Sequence, residues 1–449
     1  MKSSITYCPV GSVEGIGASA HYLQFERWGV LLDAGLDPHH YSAREALPAY
    51  DLLNGRPVNA LVMSHAHLDH IGSLPVALRN FPQARVYMTP ATVALTDQLL
   101  YHYVQVQRKK EGKRFEPLYN EPYLESIRFI YQGFDYESPF PLHGQEASGL
   151  QFTFYDAGHI LGSAGVLIEW RGSRVFYTGN TRKSAQFILK GARYPVERVD
   201  ALITEATYGA NSAAEHVRRS AEVKRFAKQI GERLKMGGIV LLPVFALGRT
   251  QEMIAMIHQL RVKNRIPVAP IYITGMGLKI NKIYDRLLHK MYPDFKAGTL
   301  RAMTFDRWQQ GRKLRGPAIL LATSGMMLPG TASFEFAQAL AANPRNAVYF
   351  VGYADPDTPG GLFRQQKHEE LKTTFGLEEI ACQVEIFQFS AHSHRRDLLA
   401  MIERLRPRKV IFTHGERAAL EWMEENTRKI LPKADTLIPR QGEWYPLFG

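Results

Sequence analysis

The segment SHAHLDHIG, residues 64–72, places His65, His67, Asp69 and His70 within six positions, directly after the apolar run NALVM. Side chains of that kind cannot be left in a dry interior without partners, because an unpaired buried polar group costs about 2–7 kcal/mol. The pattern therefore demands a strand that ends at a turn and fans its polar residues toward a common point. Split between two neighbouring cations, His65 and His67 serve one, and Asp69 and His70 the other. Each pair leaves coordination positions open, as catalytic rather than structural zinc requires. A lone histidine on an apolar face is usually structural, and His-x-His alone is weak. His-x-His-x-Asp-His behind a buried strand is far more demanding.

The missing ligands have to come from elsewhere in the chain. Only two cysteines exist, Cys8 and Cys382, far from any close ligand spacing, so imidazole and carboxylate must do most of the holding. The first half reads as strands separated by glycine turns: GVLLDAG (29–35), NALVMSHAH (59–67), ARVYMT (84–89), LQFTFYDAGH (150–159) and SRVFYTGN (173–180). Three of these finish on a polar residue beside a glycine or an Ala-Gly pair: Asp33, His159 and Asn180. Polar groups at strand ends, on turns that small residues permit, are how sheets build sites. His159, Asn180 and His414 in FTHGER are the candidates to complete the cluster.

Beyond about residue 210 the texture becomes an alternation of strands and helices. A helical AAEHVRRSAEVKRFAKQIGERLKMGG precedes IVLLPVF (239–245), and GRTQEMIAMIHQLRVKN, APIYITG and LKINKIYDRLLHKMY follow in turn. AILLATSGMM and NAVYFVGY continue it, which indicates a doubly wound module. CQVEIFQFSAHSH, a helix in RRDLLAMIERLRP and the strand KVIFTHGE return to the first style. An α/β domain interrupted by an inserted α/β domain is expected, with boundaries at 1–209, 210–378 and 379–449.

At 449 residues, 45% hydrophobic and 22% charged, the chain has globular proportions and enough length for two or three cores. It contains no run approaching the about 18–20 apolar residues of a membrane span. The start MKSSITYCPVGSVEG lacks a signal-peptide core, so a cytoplasmic protein is expected, without a membrane partner. Net charge of +12 suits a polyanion, because lysine and arginine displace condensed counterions. The local runs RKKEGKR (108–114) and RLRPRK (404–409) are individually no more than solvated faces.

Taken in order, DAG with Asp33, HAHLDH, GHILGSAG, EATYG with Glu205, PVFALGRTQE, TSGMM, FSAHSH with His392 and THGE with His414 resemble the β-CASP nucleases of the metallo-β-lactamase fold. These include bacterial and archaeal ribonucleases and the eukaryotic mRNA 3′-end cleavage factor. The resemblance runs over essentially the whole chain. HxHxDH alone would also admit lactonases, thioesterases and glyoxalases. The implied fold is an αββα metallo-β-lactamase sandwich interrupted by a doubly wound α/β β-CASP domain.

By that resemblance His65, His67 and His159 hold one Zn²⁺, and Asp69, His70 and His414 hold a second. Asp33 supports the ligand loop from beneath. His392 is the general acid and Glu205 orients it, with Asp69 counted among the catalytic residues. Position 180 departs from the pattern. The family places a bridging aspartate there, whereas Asn180 is neutral and offers one carbonyl oxygen. The second zinc is therefore expected to be weak and activity reduced. His394 stands where relatives commonly carry aspartate, and no role is assigned to it. Ser324, Gly325 and Arg249 are candidates for substrate phosphate contact, beside the alternatives of a plain turn and an internal lock. Phe245, Tyr353 and Tyr208 are candidates for stacking on bases, or else core.

The expected activity is hydrolysis of RNA phosphodiester bonds in the cleft between the two domains, leaving a 5′-phosphate. Endonuclease and 5′-exonuclease action both remain open. The alternatives are a catalytically weakened RNA-binding scaffold, a DNA-processing nuclease and, on the same fold, a small-molecule hydrolase. RNA is the expected partner, with single-stranded DNA as the alternative and homodimerisation left open. No appended RNA-binding module is expected at either end.

Overall fold

The computed structural model describes residues 4–37, 44–111, 117–296, 298–301, 303, 305–307 and 314–448. Part of the RKKEGKR run at 108–114 lies outside them. The chain forms two compact units. One comprises Met1–Ala185, Leu189–Glu215 and His392–Gly449, and the other Gln186–Ile188 with His216–Ala391.

The first unit is built on two seven-stranded sheets. One runs Tyr445–Phe448, Ile5–Pro9, His21–Phe25, Trp28–Leu32, Ala60–Val62, Arg85–Met88 and Tyr131–Gly133. The other runs Asp435–Leu437, Lys409–Thr413, Ala201–Glu205, Ser173–Tyr177, Ala164–Trp170, Gln151–Asp156 and Phe140–Pro141. Residues two apart on a strand share a face. Thus Ala164, Val166, Ile168 and Trp170 join Phe152 and Phe154 against Leu23, Val30, Leu32 and Val62 of the first sheet. Leu167, Phe176, Leu202, Val410 and Phe412 point the other way, onto Leu398, Met401, Leu420 and Met423. Those last four belong to the helices Arg395–Leu405 and Arg417–Ile430, whose apolar positions recur at helical spacing. Helix Pro90–Glu111 lies along the Tyr131–Gly133 edge of the first sheet. Each sheet keeps its parallel strands together. Trp28–Leu32, Ala60–Val62 and Arg85–Met88 run parallel in one, and Ser173–Tyr177, Ala201–Glu205 and Lys409–Thr413 in the other. The carboxyl ends of such strands are where open α/β sheets place their sites.

The second unit holds one six-stranded parallel sheet, in the order Asp306–Arg307, Ile271–Ile273, Ala318–Ala322, Ile239–Pro243, Ala347–Phe350 and Gln383–Ile386. The chain enters at Ile239–Pro243, runs out to the Asp306–Arg307 edge, returns through Ala318–Ala322 and then runs out to the Gln383–Ile386 edge. Leu241, Leu320 and Val348 from the central strands pack with Phe336, Leu340, Phe363 and Phe375 of the covering helices. The last strand, Gln383–Ile386, forms an edge of this sheet. Gln383–Ile386 pairs in parallel with Ala347–Phe350, so this unit extends to Ala391. The expected helix around 213–238 is interrupted. A short 3-10 turn at Ala213–His216 precedes the α-helix Arg219–Lys235. No helix among the described residues is long and apolar enough to cross a membrane.

Candidate metal centre and proton donor

Asp33 follows the strand Trp28–Leu32 with φ +62, and His414 follows Lys409–Thr413 with φ +55. Left-handed backbone costs a side-chain-bearing residue roughly 1–2 kcal/mol, so both turns are held by what they contact. The buried Asp33 carboxylate accepts from the Ser64 amide at 2.6 Å, and from Ser64 Oγ, His70 Nδ1 and Tyr177 Oη at 2.7 Å each. Four donors on one carboxylate pin the strand end carrying Ser64 and His65, the His70 ring and the strand Ser173–Tyr177 to one point.

His65, His67 and His159 form one group of potential metal ligands, and Asp69, His70 and His414 a second. His67 Nδ1 lies 3.2 Å from His65 Nε2 and 3.1 Å from His159 Nε2. In the second group, Asp69 Oδ2 lies 3.5 Å from His70 Nε2 and 3.4 Å from His414 Nε2. Zinc–nitrogen bonds of about 2.0–2.1 Å in a tetrahedron imply ligand–ligand edges of roughly 3.3 Å, and both groups have that spacing. His65 and His70 are ring neighbours at 4.1 Å, which sets the groups side by side.

Outer partners also select the tautomers such a site needs. Asp33 accepts the hydrogen bond of His70 Nδ1–H, so Nε2 faces its group, buried and without a hydrogen-bond partner among the described residues. Ser64 Oγ gives its own proton to Asp33 and stands 3.0 Å from His65 Nδ1, leaving His65 Nε2 for the first group. Burial, followed by the neighbouring His70 and His159, holds His65 well below the usual 6.5 and so neutral, the form that ligates. Burial would lower His70 as well, but Asp69 and Asp33 outweigh it and raise it to about 10, so a cation taken up by this group has to displace the Nε2 proton. The residues present fit metal ions.

Asn180 is buried, and among the described residues its Oδ1 has no hydrogen-bond partner. Its loop is wedged between two strand ends. On one side Gly179, at φ +52, lies so close that a Cβ there would come 2.8 Å from Ser64 Cβ. On the other, the Thr181 amide donates to Glu205 Oε1 at 2.5 Å. An amide oxygen buried without a donor is costly, and a cation relieves that cost.

His392 Nδ1 lies 2.8 Å from Glu205 Oε2, and the His392 ring stands 4.5 Å from that of His159. The Glu205 side chain is 1% exposed against 17% for His392, so a ligand can reach the histidine but not the carboxylate. Burial works to raise Glu205, yet the facing His392, with help from His414 and Thr207, lowers it overall. Tyr208 flanks His392 at 6.0 Å between rings. The His392 segment is fastened from behind. Ser393 donates its amide to the Thr181 carbonyl at 2.6 Å, and Arg182 Nη1 donates to the His392 carbonyl at 2.8 Å. His394 Nε2 is 3.3 Å from the same Arg182 nitrogen.

The remaining candidates lie in the second unit. Arg249 is buried, donating Nη1 to the Phe389 carbonyl and Nη2 to Gln186 Oε1 at 3.2 Å, the arrangement of an internal fastening. Ser324 accepts the Met326 amide through its own Oγ at 3.2 Å, and Gly325 packs on the Phe245 ring. Sequence reasoning missed Ser64, Tyr177, Arg182 and Thr207. Ser64 and Thr207 sit inside the motifs SHAHLDH and TEATYG, where a hydroxyl next to a ligand or carboxylate was the available signal.

Three family profiles match in succession: the metallo-β-lactamase superfamily at 17–222, the Beta-Casp domain at 250–362, and the Zn-dependent metallo-hydrolase RNA specificity domain at 378–439. Cleavage and polyadenylation specificity factor 73 of Drosophila melanogaster is 28% identical over 91% of this chain and 59% of its own length. Endoribonuclease YSH1 of Eremothecium gossypii is 30% identical over 92% of this chain and 55% of its own length. Transcription termination factor FttA of Methanosarcina mazei is 28% identical over 91% and 67%. The chain thus spans little more than half the length of the first two. A crystal structure of an Enterococcus faecalis protein of unknown function shares the fold, with TM-score 0.56 and 13% identity over 99% of this chain and 100% of that one. With three matched profiles in order and relatives aligned over nine tenths of its length, the chain belongs to the β-CASP family of the metallo-β-lactamase superfamily.

Proposed function

We propose that the protein is a zinc-dependent ribonuclease, with His65, His67 and His159 holding one Zn²⁺ and Asp69, His70 and His414 a second, weaker one. The observation that carries this reading is the His392–Glu205 pair beside two ligand groups of zinc-like spacing. Bound zinc supplies a Lewis acid for the phosphate oxygens and lowers the pKa of water. The chain supplies the proton. A carboxylate on His392 Nδ1 fixes the ring and leaves Nε2 as the nitrogen that passes a proton to the leaving 3′-oxygen. As a water oxygen bonds to phosphorus the P–O3′ bond breaks, giving one fragment with a 5′-phosphate and one with a 3′-hydroxyl that carries the proton from His392. The match to an RNA specificity domain and the net charge of +12 favour RNA as substrate. The relatives named endoribonucleases favour internal cleavage.

A second reading, an RNA-binding scaffold with weakened chemistry, draws on Asn180. Metal analysis combined with cleavage of 5′- and 3′-labelled RNA and DNA tests both. The nuclease reading expects zinc and RNA fragments bearing 5′-phosphates. RNA bound by zinc-loaded protein without cleavage selects the scaffold, and faster cleavage of DNA moves the substrate class.

A further inference from the structure

Thr207 lies two residues beyond Glu205, in the turn that leaves the strand Ala201–Glu205. Its hydroxyl oxygen is 2.5 Å from Glu205 Oε2 and 3.0 Å from His414 Nδ1. It also stands 3.2 Å from the His414 carbonyl, which already accepts the Ala206 amide at 3.2 Å. A hydroxyl has one proton to give and two lone pairs to offer. The shorter contact, to a carboxylate held below its usual pKa, takes that proton. The oxygen can then only accept from His414 Nδ1. His414 therefore carries its proton on Nδ1 and turns Nε2 toward Asp69, 3.4 Å away.

We infer that Thr207 is a positioning residue that couples the second metal group to the proton donor. The hydrogen-bond chain runs from His414 Nδ1–H to Thr207 Oγ1, from Thr207 Oγ1–H to Glu205 Oε2, and from His392 Nδ1–H to the same Glu205 oxygen. One carboxylate thus sets two histidines of different duty. It touches His392 directly and reaches His414 through a single hydroxyl. Asp33 stands in the corresponding place for His70, where no intermediary is needed. Without the hydroxyl, His414 Nδ1–H would face a methyl group and Glu205 would lose one of its donors. His414 would then lose the acceptor that fixes its ring, while Glu205, still held by the Thr181 amide and by His392, would be fixed by one donor fewer.

The inference rests on the two-metal reading above, and its test has a readout that needs no RNA. Zinc is titrated into the full-length chain and into Thr207→Val and Thr207→Ser, with stoichiometry from native mass spectrometry and affinity from a competing chelator. Valine keeps the branched shape and removes the hydroxyl, while serine keeps the hydroxyl. Outer partners of metal ligands typically contribute about 10- to 100-fold in affinity. The expected result is a loss of that size for one zinc only in Thr207→Val, with the other unchanged and serine restoring both. In RNA cleavage at saturating zinc, kcat falls in Thr207→Val with KM unchanged, and serine again restores it. Two zincs held alike in the wild type and Thr207→Val overturn the bridge and leave the nuclease reading standing. Loss of both zincs with a lowered melting temperature, not recovered by serine, makes Thr207 a support of the fold and also overturns it. Wild-type protein that binds no zinc overturns the two-metal reading together with the bridge.

Discussion

The Glu205 carboxylate is sealed from solvent while His392, 2.8 Å away on Oε2, keeps part of its ring open. Such a pair lets one residue meet a substrate and the other only orient it. His392→Ala is expected to slow RNA cleavage by about 10²- to 10⁴-fold, the usual contribution of a general acid. Zinc content and RNA affinity should stay near wild type. Unchanged turnover removes His392 from the mechanism, and loss of zinc makes it a ligand.

Charge on the helix Gly277–Met291 predicts how RNA binding responds to salt. Lys279, Lys282, Arg286 and Lys290 are all exposed at helical spacing, and among the described residues none has an ion pair. On the helix Arg417–Ile430, by contrast, Arg417, Arg428 and Lys429 pair with Glu421, Glu424 and Glu425. Removing one cation that neutralises a phosphate of single-stranded RNA lowers the slope of log affinity against log salt by about 0.7. Changing Lys279, Lys282 and Arg286 to glutamine together should reduce it by about 2. The same change at Arg417, Arg428 and Lys429 should leave it nearly unaltered. Equal effects of the two triple variants would show that only net charge matters.

Much of the site was legible because its ligands end apolar strands. NALVM predicts a buried strand, and His65 and His67, just past it, can only emerge at its end. The same logic singles out Asp33, His159 and Asn180, of which His159 falls in a ligand group. Hydroxyl partners leave a fainter trace, since a serine or threonine inside a motif does not say which group it bonds. Ser64, Tyr177 and Thr207 act through hydrogen bonds that neither spacing nor hydropathy records. The pairing of Gln383–Ile386 was hidden for another reason. Its residues are only half buried, and its partner Ala347–Phe350 lies more than thirty residues earlier, so no local pattern assigns the strand to a sheet. Arg249 stays between substrate contact and lock on sequence alone, since a charge does not say what encloses it. Burial and the Phe389 carbonyl place it in the interior of its own unit.

His21 predicts how the fold responds to acid. It is buried between Tyr7 Oη, 3.0 Å from Nδ1, and Ser19 Oγ, 3.3 Å from Nε2. Burial pushes its pKa down to about 3, although Asp33 pulls the other way. As pH falls through 6.5 the unfolded chain takes up a proton at this histidine, and the folded chain does so only near 3. The unfolded state binds more protons across that window, so stability drops with falling pH, by at most about 1.4 kcal/mol per unit. His21→Gln keeps hydrogen-bonding capacity and cannot titrate, so its melting temperature should decline less between pH 6 and 4. Parallel curves for the two proteins would assign the acid sensitivity elsewhere.

Asn180 predicts the behaviour of the metals. Its Oδ1 is buried without a donor among the described residues, in a loop clasped by Ser64 on one side and Glu205 on the other. Two dications held side by side repel four times as strongly as two unit charges at the same distance. A carboxylate shared between them offsets that repulsion and fixes their spacing, whereas a neutral amide contributes only a dipole. The protein as it stands is expected to keep one zinc firmly at His65, His67 and His159 and to release the second on dialysis. Asn180→Asp should retain two zincs per chain through the same dialysis and cleave RNA faster. The substitution is nearly isosteric, so the Thr181 amide should keep its bond to Glu205 and the melting temperature of the metal-free protein should hardly move. That control separates a change in charge from a change in loop shape. If the unaltered chain already holds two zincs tightly, and aspartate changes neither their number nor the rate, then the buried amide oxygen is itself an adequate ligand. The scaffold reading would then lose the observation on which it stands.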